Sequence, residues 1–350
     1  MASQTGQIPV VIGGRPVGPD HPCFVIAEIG SNHNHDLDLA FRTIDAAAEA
    51  GVDAVKFQTF RADQHYSKRT PGFGYLNGQD TFELIKSLEI DRDWHAPLKK
   101  HAEERGVVFF SSPCDKEAVE DLARLDVAAH KVASFDLPDT RLIGQIARCG
   151  KPVILSTGLA DWADIMRGVQ ACRAVGNDQI VLLQCTSLYP APARLSNLRS
   201  MASMAEAFKV LTGYSDHTEG DQVTLAAVAL GAVMIEKHFT LDRSLPGPDH
   251  GFATEPGELR AMMARIRDVE AALGDGTKLG PRPEEAEMAE KGRRSLHARE
   301  TIEAGTPLTE DMLVVKRPGY GLPVHMIDQV IGRTAKRRIE ADEWITWDAV

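Results

Sequence analysis

The residues that could do chemistry stand at the ends of short apolar runs. One run ends A-E-I-G-S-N-H and offers Glu28. V-K-F-Q-T carries Lys56 and Gln58, F-S-S-P carries Ser112, and H-K-V-A-S-F-D carries Lys131, Ser134 and Asp136. C-T-S-L-Y-P supplies Ser187 and Tyr189. Y-S-D-H supplies Ser215 and His217, and I-E-K-H-F-T supplies Glu236 and His238, with Asp249 shortly after. A lysine inside a strand and pointing at a core is costly without an anionic partner. Lys56 and Lys131, near the hydroxyls of Ser112, Ser134 and Ser215, suggest a phosphate or carboxylate pocket. A structural salt bridge, for example Lys56 with Glu28, is the plainer alternative. His217 and His238 end neighbouring runs and can converge on one metal ion, with waters in the open positions. Glu236 and Asp249 could bind that ion or orient the histidines. Two such histidines are otherwise ordinary hydrogen-bonded core residues.

The remaining candidates are weaker. Asn32, His33, Asn34 and His35 form a polar turn that binds substrate hydroxyls or caps a helix starting at Asp36. His21, His95, His101 and His325 fall in loops or on helix faces, where surface placement is the default. Cys114 and Cys185 lie near the presumed active face and read as small buried residues. There is no G-x-S-x-G, Walker loop or G-x-G-x-x-G, so the hydrolase-triad, triphosphatase and Rossmann classes lack their signatures.

These residues need a scaffold that brings run ends together. Eight runs of strand length alternate with stretches of helical period: Phe24–Gly30, Ala54–Thr59, Val107–Pro113, Ala129–Ser134, Pro152–Gly158, Ile180–Ser187, Val210–Asp216 and Val233–Thr240. The helical stretches include Asp38–Ala50, Asp161–Val175 and Gly257–Leu273, and several end at a glycine such as Gly51 or Gly150. This predicts an α/β (β/α)8 TIM barrel, with a doubly wound open sheet as the competing arrangement. In a barrel, chemistry sits at the strand C-termini, and alternate strand residues face the lumen. Lys56 and Gln58 share parity, as do Glu236 and His238. An N-terminal hairpin precedes the barrel, with Ile8–Ile12 as one arm and a turn at Gly13–Gly14. An extra segment, Arg61–Leu88, sits on the loop side where barrel chemistry occurs. The predicted domains are 1–274, the barrel; 275–290, a Gly/Pro/Glu-rich linker; and 291–350, a small mainly-β module with runs at Arg294–Ala298, Leu313–Lys316 and Ile331–Ile339.

Composition excludes several classes. The chain has 350 residues, 43% hydrophobic and 25% charged, which supports a core without disulfide or metal staples. Its net charge of −11 argues against nonspecific nucleic-acid binding. Five scattered cysteines without C-x-x-C point to a reducing, cytoplasmic compartment. Met1–Val10 lacks the pattern of a secretory leader, and no apolar run is long enough to span a membrane.

Taken together, F-V-I-A-E-I-G-S-N-H-N, V-K-F-Q-T, F-S-S-P, K-V-A-S, L-S-T-G, C-T-S-L-Y-P-A-P, Y-S-D-H-T, I-E-K-H-F-T and G-P-D-H resemble the sialic acid synthase family, which makes nonulosonic acids. V-K-R-P-G-Y-G at 315–321 resembles the antifreeze-like (SAF) domain that ends these enzymes. The resemblance implies condensation of phosphoenolpyruvate (PEP) with an N-acetylated amino sugar aldehyde, of the N-acetylmannosamine type, with release of phosphate. It implies PEP contacts from Lys56, Ser112, Lys131, Ser134, Ser187 and Ser215. It implies sugar contacts from Gln58, Tyr189, Glu236, Asp249 and Arg317, with Glu28 also binding or orienting sugar and metal. His217 and His238 would hold a divalent metal, manganese or magnesium, acting as Lewis acid on the aldehyde oxygen. The base is usually Glu in this family; here it is Asp136, one methylene shorter. Ser187 stands where several relatives have Asn, and His35 where many have Gly, and both bear on sugar choice. The partner implied is a second copy, a homodimer in which the SAF domain closes the partner's site and brings Arg317 to the sugar. A 6-deoxy-diacetamido hexose, giving legionaminic or pseudaminic acid, is the alternative acceptor. Outside this chemistry stand a non-catalytic sugar- and PEP-binding barrel, for which Asp136 is the one argument, and a pyruvate aldolase using an inward lysine.

Overall fold

The computed structural model describes residues 9–72 and 80–350. Ile8 of the first predicted arm, the residues before it and the middle of the Arg61–Leu88 segment lie outside the described residues. Two compact units result, Met1–Gly274 and Asp275–Val350.

Strands β1 (Val10–Ile12) and β2 (Arg15–Val17) pair antiparallel as the predicted hairpin. Gly13 and Gly14 both take positive φ, which a tight two-residue hairpin turn requires. Then β3 (Phe24–Gly30), β4 (Ala54–Thr59), β5 (Val108–Pro113), β6 (His130–Val132), β7 (Val153–Ser156), β8 (Ile180–Cys185), β9 (Leu211–Asp216) and β10 (Met234–His238) pair in parallel. β10 returns to β3, and the sheet closes as a barrel, which decides against the open sheet. These strands are buried on both faces, as parallel sheets require, with polar and charged residues interrupting their apolar runs.

Helices cover the barrel, and local chemistry sets their ends. Leu37–Ala50 starts where the Asp36 carboxylate accepts the Leu39 N–H at 3.1 Å, and stops at Gly51, whose φ is 88°. The Asn32–His35 turn therefore does not cap this helix; Asp36 does. Asn32 Nδ2 instead donates to Phe239 O at 3.0 Å, and His33 is buried, 5.9 Å from Trp94 between ring centroids. His95 is also buried, against the surface expectation. Thr59 Oγ1 lies 2.8 Å from its Nε2 and Arg92 O lies 2.9 Å from its Nδ1, so it ties β4 to the helix His95–Glu104 that it begins. His101 is half-buried on Phe41 and pairs with Asp45 at 2.7 Å. Among the described residues, no helix is long and apolar enough to cross a membrane, and all five cysteines are free.

The second unit has its own core of Leu296, Ile302, Leu308, Leu313, Val330, Ile339 and Ile345. β11 (Ser295–Ala298) and β12 (Leu313–Lys316) pair antiparallel. Ile331–Ile339 does not form the predicted third strand; it makes only isolated bridges, Ile302 with Ile339 and Pro307 with Thr334. Within the stretch read as a linker, a 3-10 turn at Pro283–Glu285 leads into a helix at Ala286–Gly292.

One glycine is fixed by barrel closure. A Cβ on Gly213 in β9 would lie 2.2 Å from the Met234 backbone oxygen on β10 and 2.9 Å from Leu183. Backbone cannot retreat as a side chain can. Gly213→Ala is expected to cost about 3 kcal/mol or more, measured by urea unfolding followed by circular dichroism.

Candidate active site

Strand parity turns one set of side chains into the lumen. Register sets Glu28 beside Lys56, Gln58 beside Ser112, and Ser215 beside Glu236. Lys56 Nζ lies 2.6 Å from Glu28 Oε2 and 3.7 Å from Glu236 Oε2, and donates to Ser112 Oγ at 3.2 Å. The salt bridge weighed as the plainer alternative is therefore present, but inside a larger network. Gln58 Nε2 donates to Glu28 at 2.7 Å, and Ser215 Oγ donates to Glu236 Oε1 at 3.0 Å. Lys131 is less committed. Its nearest carboxylate oxygen, on Glu236, is 3.7 Å away, and its hydrogen bond goes to Val132 O.

The electrostatics follow from this layout. Burial alone would raise Glu236, but Lys131, Lys56 and the Ser215 hydroxyl outweigh it and hold the carboxyl below its usual range. Burial lowers Lys56, yet Glu236 and Glu28 outweigh that and raise it. Lys131 ends below the usual lysine range, because burial and neighbouring Lys56 act against one distant carboxylate. Lys131 is thus the cation with most to gain from an incoming anion.

Opposite this network stand the histidines. The rings of His217 and His238 are 5.3 Å apart, with Tyr189 4.3 Å from His217 and Phe252 5.0 Å from His238. His217 Nδ1 is 2.9 Å from Thr186 O, which fixes that nitrogen as a donor and leaves Nε2 free to ligate. His238 Nδ1 is buried without a hydrogen-bond partner among the described residues, and Asp249 Oδ2 stands 3.8 Å from it. Burial, with His217 and three lysines nearby, holds His238 well below the usual histidine range, so its ring is neutral. Burial and the Glu28 charge push Asp249 up to about 6. A neutral orphaned imidazole, a second imidazole of fixed tautomer and an adjacent carboxylate fit a divalent cation.

A third wall comes from the ends of β4, β5 and β6. Asp136 Oδ1 lies 3.8 Å from His65 Nε2, and the Cys114 thiol, which donates to Ser112 O at 3.7 Å, lies within 4.8 Å of both. Burial raises Asp136 above the usual carboxylate range. Ser134 Oγ accepts the Gly158 N–H at 3.0 Å. A Cβ on Gly158 would sit 2.3 Å from Ser187 Oγ and 2.8 Å from Ser134 Oγ, so any larger residue would force these hydroxyls to move.

One cavity of about 260 Å³ joins the three walls. It is lined by Glu28, Lys56, Gln58, Ser112, Lys131, Ser134, Asp136, Tyr189, Ser215, His217, Glu236, His238 and Asp249. Ser187 is not in this lining; its Oγ is buried behind Gly158 without a partner. Arg317 belongs to the second unit, where its Nε donates to Gly292 O at 2.7 Å. Cys185 lies 3.8 Å from His217 Nδ1. Sequence reasoning missed His65, Tyr66, Phe252 and the apolar wall of Phe60, Leu84, Ile85 and Leu88. Most of these fall in the Arg61–Leu88 segment, whose position on the loop side was the available signal. A larger cavity, about 530 Å³, lies beside Lys237, Arg243 and Arg265. Its cations are already paired, with Asp216, Glu258 and Asp221 respectively, so it offers no comparable charge for an anion.

The fold and this site define a (β/α)8 barrel with a charged cavity among its strand ends, followed by a small second unit. Residues 43–278 match the NeuB family and 293–350 match the SAF domain. An N,N'-diacetyllegionaminic acid synthase of Campylobacter jejuni is 38% identical over 92% of this chain and 98% of its own. A pseudaminic acid synthase of the same species is 36% identical, covering 92% of this chain and 94% of its own. The crystal structure of N-acetylneuraminic acid (sialic acid) synthetase from Leptospira borgpetersenii, in complex with citrate, superposes with a TM-score of 0.74. It is 33% identical and covers 81% of this chain and 96% of that one. The chain belongs to the NeuB family, and it is an enzyme, a transferase-type acid synthase that forms carbon–carbon bonds.

The lumen network makes a stability prediction. Lys56→Met leaves Glu28 and Glu236 facing each other in a buried space, at an expected cost of about 3–5 kcal/mol. Adding Glu28→Gln should restore part of it. Both values come from chemical denaturation of the purified variants.

Proposed function

We propose that this protein condenses PEP with an N-acetylated amino sugar aldehyde, of the N-acetylmannosamine type, to give a nonulosonic acid and phosphate. Family membership supports the coarse reaction. The observation that supports the finer reading is the pairing, across one cavity, of Lys56 and Lys131 with the His217–His238 pair. Lys131, with Ser134 and Ser215 beside it, receives the phosphate, and Lys56 with Ser112 receives the carboxylate. His217 and His238, with Asp249 close by, would hold manganese or magnesium. When bound, the ion supplies Lewis acidity toward the sugar's aldehyde oxygen. Tyr189, Gln58 and Glu236 orient the sugar so that PEP C3 meets the aldehyde carbon. That bond leaves positive charge at C2 of PEP. Water adds there and gives one proton to Asp136, which passes it to the new sugar alkoxide; the C2–O bond then breaks, phosphate leaves with the remaining hydroxyl proton, and C2 becomes the keto carbon. The carboxylates of Glu28 and Glu236 face the developing charge at C2 and stabilise it.

A second acceptor has its own support. The wall of Phe60, Leu84, Ile85 and Leu88 is apolar where a hexose 6-hydroxyl would want a partner. A 6-deoxy-diacetamido hexose would place methyl groups there. The same proposal includes a homodimer in which Arg317 serves the partner's sugar, and a cytoplasmic site of action, consistent with five unpaired cysteines.

Phosphate release from PEP is the test, with manganese, against N-acetylmannosamine and two 6-deoxy-diacetamido sugars. Release with one sugar, stopped by EDTA and by His217→Ala or His238→Ala, is the expected result. Full activity in EDTA would reject the metal role. No release with any of the sugars, from folded and metal-loaded protein, would favour a barrel that binds without turnover. Asp136→Asn should lower kcat by about 10²–10⁴ and change the KM for PEP little. An unchanged kcat in steady-state assays removes Asp136 as the base.

A further inference from the structure

Three different ligand types meet in the wall of the cavity that the His217–His238 pair also lines. His65 ends the short helix Ala62–His65 after β4, Cys114 directly follows β5, and Asp136 follows β6. One ligand atom from each lies within 4.8 Å of the other two, and His65 Nε2 to Asp136 Oδ1 is 3.8 Å. Two ligands of a tetrahedral zinc ion stand about 3.3–3.6 Å apart, given zinc bonds of about 2.0–2.3 Å. Small rotations of three half-buried side chains would close that gap. All three residues are carried on the segments that follow successive barrel strands, β4, β5 and β6.

We propose that His65, Cys114 and Asp136 form a second cation site, specific for zinc-like ions, and that occupying it switches the synthase off. The donor set separates it from the histidine pair. A thiolate with an imidazole and one carboxylate selects zinc or cobalt, whereas the histidine pair, with Asp249 and waters, offers no sulfur ligand. Three protein ligands leave a fourth position, which opens into the cavity for a water or a substrate oxygen. The thiol gives up its proton to solvent when the metal–sulfur bond forms. Asp136 bound to the ion no longer accepts a proton from water. The inhibition therefore rests on the role assigned to Asp136 above, while the binding site does not.

Cobalt is the probe, added to the full-length protein and read by absorption. Thiolate-to-cobalt charge transfer in the near ultraviolet is the signature. The band is expected in the wild type, lost in Cys114→Ser, and retained in Cys185→Ser and His217→Ala. His65→Gln, a gentler change, should weaken cobalt affinity by about tenfold or more. Zinc should inhibit the manganese-supported reaction, and Cys114→Ser and His65→Gln, each normalised to its own uninhibited rate, should need about tenfold more zinc. A band that survives Cys114→Ser, or no band at all, overturns the site. Band loss in Cys114→Ser without any zinc inhibition keeps the site but overturns the switch.

Discussion

Two lysines and two glutamates are buried together in the interior of the barrel, and the site is built around them. Lys56 touches Glu28 and Glu236; Lys131 reaches only Glu236. Each charge would be prohibitive alone. Together they are near neutral, and the hydroxyls of Ser112 and Ser215 and the Gln58 amide satisfy further polar atoms. Such a cluster is a poor source of stability, since desolvation consumes most of the attraction. Its value lies in holding charged groups at fixed places before substrate arrives, which is what electrostatic catalysis needs.

The asymmetry within the cluster gives it direction. Lys56 is saturated by carboxylates, whereas Lys131 is held below its ordinary range by burial and by Lys56. An anion entering the cavity gains most at Lys131. On the facing wall, the neutral His238 ring and its orphaned nitrogen present a donor rather than a charge. One half of the cavity is thus disposed toward anions and the other toward a cation, with Tyr189 and Phe252 packed between and around the histidines.

Much of this was legible in the residues. The strand bounds Phe24–Gly30 and Ala54–Thr59 fall where the apolar runs end, and glycine stops such as Gly51 mark real helix ends. The polar residues at run ends line one cavity because a closed barrel gathers its strand C-termini on one face. His95 misled because its position on a predicted helix face says nothing of what packs against it. Thr59 comes to it from β4, far back in the chain, and with the local Arg92 O ties it into a buried position. Ile331–Ile339 has the composition of a strand, but in a unit this small turns interrupt the pairing and leave single bridges.

The sequence by itself determined the eight-fold alternation, the lumen parity of Lys56, Gln58, Glu236 and His238, and the stops between elements. Those are short-range properties, set by a period of two or 3.6 residues and by single-residue backbone preferences. Only the tertiary structure decided which lumen charges pair, that Gly158 packs against the hydroxyls of Ser134 and Ser187, and that His65, Cys114 and Asp136 meet. Those depend on register and closure: strands far apart in the chain become neighbours at fixed stagger, and no local pattern encodes a distance across the barrel mouth.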